Sequence, residues 1–480
     1  MRILHSSSEF FPLVKTGGLA DVSAALGAAQ RNLGYDARVL VPGYAAVLAA
    51  LGPDAHRLEG DVRVGGASGR ILRGTLRGVA LPAYVLDCPA LFVRAGGPYL
   101  DQAGHEYGDN SLRFALLSRA AADLGLGADP GFRVDVLHGH DWQTGLAPAY
   151  LAYAGRARPR TVHTIHNLAY QGVFGAEIFH QLGLPDAAMH MEGIEYHGRL
   201  SFLKAALWYA DALTTVSRTY AVEIQTPAFG HGLDGLLRGR KDDLTGIVNG
   251  VDYGVWDPRH DDDLPRHYGP GDLGGKLVAK AALRTRFGLG AARGPLFVAV
   301  ARLTADKGLD LVADAAESIG EFDGQLAILG TGDSTIEAQL SALAARQPGR
   351  IGFVHGYDEA LAHIMQAGAD VTLVPSRTEP CGLTQLYAMR YGALPLVRRT
   401  GGLADTVVDA TVEALEHATG FVFDAPNRGA LLATMRRAAG LFEQPSLWAR
   451  VQHNAMVQDF GWESVARRYL DVYAGHTLAG

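Results

Sequence analysis

Cysteine is almost missing: Cys88 and Cys381 are the only two in 480 residues. Two thiols make no disulfide framework, and such scarcity fits a reducing compartment. Long apolar runs are missing too, since none approaches the roughly 18 residues that a membrane span needs. The opening stretch Met1-Arg2-Ile3-Leu4-His5-Ser6 lacks the apolar core of a signal peptide. A cytoplasmic protein without a membrane partner is expected. Nor is positive charge in excess: 43 basic side chains stand against 50 acidic ones, the net charge is −7, and no basic tract stands out. Nucleic acid is thereby excluded as a main partner, as is an anionic membrane. Low-complexity blocks and a collagen-like period are absent, although glycine is abundant at 60 residues and falls mostly where strands would turn into helices.

With 48% hydrophobic residues the chain can bury large cores, and its length allows two or three domains. Short runs of β-branched residues and leucine recur, most of them followed by a turn and a segment of helical period. In the first half they lie at 2–6, 37–41, 134–137, 161–165 and 212–216, with a hairpin-like stretch at 71–86 and a helix from Asp109 to about Leu124. A second series occupies 296–300, 326–329, 351–354, 371–374, 394–397 and 420–423. This pattern implies right-handed crossovers, two parallel sheets and the fold class α/β. Between the two series, 259–275 is rich in Asp, Pro and Gly and reads as a surface connection. Its Asp261-Asp262-Asp263 reads as a solvated loop and not as a metal site.

In such sheets ligands collect outside the carboxyl ends of the strands. The 371–374 run, closed by Pro375, leads into the turn Ser376 to Gly382 with Glu379 at its lip, and helical spacing begins at Leu383. The 2–6 run leads to Lys15-Thr16-Gly17-Gly18, where glycine lets backbone approach a ligand and the lysine suits a phosphate. The runs 134–137 and 161–165 deliver His138-Gly139-His140-Asp141-Trp142 and His166-Asn167. One hexapeptide, T-G-G-L-A-D, occurs at 16–21 and again at 400–405. The echo favours two similar nucleotide-fold domains with the site in the cleft between them.

Taken together, K-T-G-G-L-A-D-V at 15–22, H-G-H-D-W-Q-T-G-L at 138–146, H-N-L-A-Y-Q-G at 166–172, R-L-T-A-D-K-G at 302–308 and T-E-P-C-G-L-T-Q at 378–385 resemble the bacterial glycogen synthases, of the ADP-glucose-dependent glycogen/starch synthase family. P-Y-L-D at 98–101, G-I-V-N-G-V-D at 246–252 and T-G-F-V-F at 419–423 extend the resemblance over nearly the whole chain. It implies the GT-B arrangement, two Rossmann-like doubly wound domains facing across a deep cleft. Residues 1–252 would form the acceptor domain and 253–457 the nucleotide-sugar domain, with a C-terminal helix over 458–480 crossing back onto the first. The implied reaction moves glucose from ADP-glucose to the non-reducing 4-hydroxyl of an α-1,4-glucan, elongating glycogen with retention at the anomeric carbon. No cofactor and no metal are implied.

By the same resemblance, Glu379, Arg302, Lys307 and His166 are the expected catalytic residues. Arg302 and Lys307 match the family's phosphate-binding pair, whose charge would stabilise the departing diphosphate. Lys15 matches their counterpart on the opposite domain. Glu379 would bind hydroxyls of the donor glucose, and His166 would stand near the sugar's reactive face. Asp141 and Asn167 would hydrogen-bond the donor sugar or the acceptor end, and Asp21 would orient the Lys15 loop or meet the donor. Gly382, Leu383 and Thr384 would offer backbone N–H groups. Cys381 would wall the nucleotide site, and Gly17, Gly18 and Asn249 complete the substrate-binding set.

Other readings are weaker. His138, His140, His163 and His166 with Asp141 include plausible metal ligands, and His138 and His140 point the same way on an extended strand. The family, however, meets its diphosphate with Arg and Lys. A silent binding protein on this fold would have lost some of Lys15, Arg302, Lys307 and Glu379, and all four are present. A UDP-glucose-dependent transferase stays open, whereas no stretch resembles the pyridoxal phosphate site of a phosphorylase. With no nucleophile beyond Glu379, a same-face displacement is favoured over a covalent sugar.

Overall fold

Apolar runs of four or five residues are too short for helices, and the strands Arg2–Ser6, Leu296–Val300 and Val371–Val374 span the runs that predict them. The computed structural model describes residues 1–476. The chain divides into two units, Met1–Gly250 with the chain from Trp462 onward, and Val251–Gly461.

The second unit is built on six parallel strands in the order Ile351–His355, Gln325–Gly330, Leu296–Val300, Val371–Val374, Leu394–Arg398 and Phe421–Phe423. In chain order this is 3-2-1-4-5-6, the order of a doubly wound nucleotide-binding sheet. Its direction of growth reverses between Leu296–Val300 and Val371–Val374. The first unit holds a ten-stranded sheet. Its parallel part runs Leu244–Gly246, Ala212–Thr215, Arg160–Ile165, Val136–His140, Arg2–Ser6, Asp36–Pro42 and Pro82–Asp87. Growth reverses here at Arg2–Ser6. The expected hairpin is the antiparallel pair Ala67–Thr75 and Pro82–Asp87, which carries the short strands His56–Arg57 and Val62–Val64 at the sheet's far edge. Among the described residues no helix is long and apolar enough to cross a membrane.

The expected helix over 458–480 is shorter, Trp462–Tyr473. Gly475 takes φ +82°, a left-handed conformation that ends a helix, and 477–480 lie outside the described residues. Its ends are fixed within the first unit. A Cβ on Gly250 would come within 2.6 Å of the Trp462 ring, so only glycine lets the indole lie there. At the other end Tyr473 accepts a hydrogen bond from Gln30 of the helix Gly18–Asn32 at 3.1 Å.

The aspartate run departs from the solvated loop expected of it. Asp262 and Asp263 are exposed, but Asp261 is only 5% exposed and lies 2.7 Å from His363 Nδ1, with the Tyr391 hydroxyl donating to the same carboxylate. Burial alone would raise this carboxyl, yet the His363 and Tyr391 hydrogen bonds outweigh it and hold it below the usual range. Trp256 stacks on His363 at 3.7 Å and on Tyr387 at 3.9 Å, closing the pair off from water. A local charge count could not see this, because the partners lie about a hundred residues further on. Asp261→Ala should therefore destabilise the protein by about 3 kcal/mol, since it strands two buried polar groups. Asp262→Ala should stay within about 0.5 kcal/mol of the parent. Urea unfolding of the two variants checks this, and equal effects would return Asp261 to the loop surface.

Candidate functional site

In the second unit the reversal of strand order brings two loops side by side. The strand Leu296–Val300 ends at Arg302 to Lys307, and Val371–Val374 ends at Ser376 to Gly382. Lys307 Nζ meets both carboxylate oxygens of Glu379, at 2.9 and 2.7 Å, and the Ser376 hydroxyl donates to Glu379 at 2.8 Å. The pair is largely desolvated, with 21% of the lysine and 12% of the glutamate side chain exposed. Arg302 stands exposed nearby in sequence with no side-chain hydrogen bond among the described residues. Gly382 is left-handed at φ +73°, and Gln385 ties the turn down by donating to the carbonyls of Cys381 and Gly382 at 3.1 and 2.9 Å. The helix begins at Thr384, so the N–H groups of Gly382, Leu383 and Thr384 find no partner within it. Cys381 is buried.

The second T-G-G-L-A-D packs beneath this turn. A Cβ on Gly401 would meet the Glu379 carbonyl at 2.0 Å, and one on Gly402 the Cys381 carbonyl at 2.1 Å. These glycines are spacers that let one backbone rest on another.

The first copy lies open. Nothing stands within 4 Å of a Cβ on Gly17, and Gly18 opens the helix Gly18–Asn32. Lys15 pairs with Asp21 at 3.1 Å and lies 5.2 Å from the Phe11 ring centroid. The loop is anchored by Glu9, which motif reading missed. Its buried carboxylate accepts the N–H groups of Thr16 at 2.6 Å and Gly17 at 3.1 Å and the Tyr99 hydroxyl at 2.7 Å. Burial raises this carboxyl above its ordinary value despite those bonds. Tyr99 lay inside the P-Y-L-D motif and was the available signal.

The neighbouring strands supply the rest. Asp141, at φ 54°, precedes the short helix Trp142–Thr144 but makes no side-chain cap bond to it; its carboxylate accepts the His166 N–H at 2.7 Å, and burial pushes the carboxyl up to about 7. Asn167 turns inward on its own loop, accepting the Ala169 N–H at 3.0 Å. Asn249 is buried with its side-chain oxygen unpartnered.

Strand alternation places His138 and His140 on one face, beside His5 and Thr164 of the adjacent strands, while His163 falls on the other. His5, His138 and His140 each offer a ring nitrogen within 4.8 Å of the others, so a three-histidine set exists, with His5 where the sequence pointed to Asp141, His163 or His166. All six of these nitrogens are engaged in hydrogen bonds, to one another, Gln30, Tyr473, Thr164 and His166. A metal would have to break them. Burial keeps every ring neutral: His5 is pushed down to about 4, His163 and His166 to about 3, and His138 and His140 well below the usual range.

Residues 2–239 match the family described as the starch synthase catalytic domain, and residues 284–445 match glycosyl transferases group 1. The chain is 50% identical to glycogen synthase 1 of Rhizobium meliloti (strain 1021), with 100% of both chains covered. It is 49% identical to the glycogen synthase of Yersinia enterocolitica, covering 98% of this chain and 99% of that one. Among solved structures, the catalytic domain of starch synthase IV from Arabidopsis thaliana, bound to ADP and acarbose, agrees at a TM-score of 0.87 with 31% identity, over 99% of each chain. Sucrose-phosphate synthase from Thermosynechococcus elongatus agrees at 0.61 with 17% identity, over 99% of this chain and 98% of that one, a likeness of fold alone.

The buried histidines and Asp141 pull stability in opposite directions with pH. Below their ordinary value of 6.5 the histidines gain protons in the unfolded chain, whereas burial keeps them neutral when folded, down to about 4 for His5, to about 3 for His163 and His166, and well below the usual range for His138 and His140, so stability falls as pH drops below 6.5. Asp141, with a folded value of about 7 against an ordinary 3.8, holds a proton in the folded chain over the same range and offsets one of the five. Asp141→Asn should therefore make the loss of stability between pH 6 and pH 5 steeper by about 1.4 kcal/mol per pH unit. Denaturant unfolding at several pH values measures both slopes, and equal slopes would mean that Asp141 is ionised in the folded protein.

Proposed function

The chain belongs to the glycogen and starch synthase family of glycosyltransferases, and we propose that it extends an α-1,4-glucan by moving glucose from ADP-glucose to the non-reducing 4-hydroxyl. Support for the donor comes from the plant starch synthase, whose structure holds ADP, and for the acceptor from the relatives named glycogen synthase. The observation that carries the assignment of residues is the Lys307–Glu379 pair at the point of strand reversal, where a nucleotide-binding sheet receives its ligand.

Breaking the glycosidic bond puts negative charge on the departing diphosphate, and preformed cations that meet it there lower the barrier. Lys307 and Arg302 are assigned to that charge. Arg302 has its five donors unspent on neighbouring side chains, and Lys307 is a point charge held in place by Glu379. Open N–H groups at Gly382, Leu383 and Thr384 add further donors beside Cys381. Glu379, aimed by Lys307 and the Ser376 hydroxyl, accepts hydroxyls of the donor glucose. In the first unit, Lys15 on its open glycine loop supplies another cation for phosphate, with Asp21 holding the lysine and Gly17 and Gly18 leaving room. His166, Asp141, Asn167 and the unpartnered oxygen of Asn249 are assigned to sugar hydroxyls. Retention follows from a same-face displacement in which the leaving phosphate takes the acceptor's proton. We place the reaction in the cytoplasm, without a divalent ion.

Glu379→Ala should lower turnover by about a hundredfold or more with a much smaller loss of ADP affinity, because its bonds to the donor go to sugar while Lys307 keeps its charge but loses its aim. Arg302→Ala should slow transfer by a similar factor and weaken ADP binding as well. Turnover with ADP-glucose and glycogen, calorimetric ADP binding and a chelator control test the set. Near-normal turnover of folded Glu379→Ala would sink the residue assignment, preference for UDP-glucose the donor assignment, and loss of turnover on chelation the metal-free reading.

A further inference from the structure

Beneath the candidate site of the first unit lies an unbroken buried chain of hydrogen bonds. His166 Nε2 lies 3.1 Å from His140 Nδ1, and His140 Nε2 lies 3.3 Å from His5 Nδ1. His5 Nε2 lies 2.8 Å from the Gln30 side-chain oxygen, and the Gln30 nitrogen donates to the Tyr473 hydroxyl at 3.1 Å. That hydroxyl lies 2.7 Å from His138 Nδ1, and His138 Nε2 lies 2.6 Å from Thr164 Oγ1. Gln30, His5, His138, His140 and Thr164 are 0% exposed and Tyr473 is 3% exposed. Five separate stretches contribute: Arg2–Ser6, the helix Gly18–Asn32, the strands Val136–His140 and Arg160–Ile165, and the last helix Trp462–Tyr473.

A neutral imidazole has one donor and one acceptor, so in a chain of them the direction of one bond dictates the next. Gln30 is the member whose two ends differ by nature, a carbonyl that only accepts and an amide that only donates. With its oxygen toward His5, His5 must carry its proton on Nε2 and accept through Nδ1. His140 must then carry its proton on Nε2 and accept through Nδ1, which requires His166 to donate from Nε2. The Nδ1 of His166 is left as a lone pair. On the other arm the Gln30 amide donates to Tyr473, Tyr473 donates to His138, and His138 donates to Thr164. The reverse polarity would also close every bond, but only with the Gln30 amide turned round.

We propose that Gln30, through His5 and His140, is a positioning residue that holds His166 in its Nε2–H tautomer, so that His166 meets the sugar as a hydrogen-bond acceptor. Tyr473, at the far end of the chain sequence, accepts from the amide and passes its own proton to His138, so the amide can turn only if every bond of the chain reverses with it. The burial that keeps these rings neutral also prevents a second proton from erasing the direction. The inference rests on the assignment of His166 to the substrate.

The test is the imidazole nitrogen NMR spectrum of the ¹⁵N-histidine-labelled full chain, with His166 assigned by its loss in His166→Ala, paired with kinetics on ADP-glucose and glycogen. The parent should show His166 protonated on Nε2 alone. Gln30→Met should give mixed tautomers and a kcat lower by about tenfold with a donor KM within about twofold. Gln30→Glu should restore both, since a buried carboxyl that keeps its proton accepts and donates from the same two places. Tyr473→Phe, milder in volume, should reproduce the mixed tautomers and decides the matter if Gln30→Met does not fold. A parent His166 protonated on Nδ1, variants with an unchanged spectrum, or a changed spectrum with unchanged kcat would each overturn the proposal. Full activity of His166→Ala would instead overturn the substrate assignment beneath it, whatever the spectrum shows.

Discussion

Parallel strands deliver all their carboxyl ends to one edge of a sheet, and where strand order reverses, the two flanking loops leave toward opposite faces and open a crevice. The chemistry of the second unit depends on that constraint. Lys307 and Glu379 are 72 residues apart, yet they meet because Leu296–Val300 and Val371–Val374 are neighbours at the reversal. Neither residue is useful alone in so dry a place. A desolvated carboxylate without its cation would be heavily penalised, and the lysine without its carboxylate would not be aimed. Two glycines placed against the carbonyls of Glu379 and Cys381 keep the turn seated.

The first unit obeys the same rule with a different filling. Its reversal at Arg2–Ser6 brings the Glu9-anchored glycine loop and Asp141 to one edge. Behind them the sheet face carries histidines and threonines in place of aliphatic side chains, and Gln30 of the helix Gly18–Asn32 meets them. Such a layer is tolerable because the rings stay neutral and each member of the chain finds a partner; each unmatched buried donor would cost about 1–3 kcal/mol. A saturated polar row also has a direction, which an aliphatic layer lacks.

The twin T-G-G-L-A-D segments show how little a motif says by itself. In one, glycine faces open space beside an exposed lysine; in the other, glycine is pressed under a neighbouring backbone. Six identical letters take opposite tasks because one copy follows a loop that the buried Glu9 carboxylate anchors, and the other directly follows the strand Leu394–Arg398 beside the Glu379 turn.

Sequence by itself determined the strands, their parallel class and most of the polar residues at their ends. Alternation and run length are local properties, so 2–6, 296–300 and 371–374 could be read to the residue. Resemblance of the motifs to glycogen synthases pointed to Lys15, Asp21, Asp141, His166, Arg302, Lys307 and Glu379 together. Tertiary structure alone decided partners. It took Asp261 out of solvent, shortened the last helix to Trp462–Tyr473, brought Glu9 and Tyr99 under the glycine loop, and joined Gln30 to Tyr473. Each of those outcomes depends on which distant side chain a crossover happens to bring within 3 Å or so, and a hydrogen bond's energy is lost within an ångström of that distance. Periodicity along the chain says which face a residue is on; only the packing of that face says what waits there.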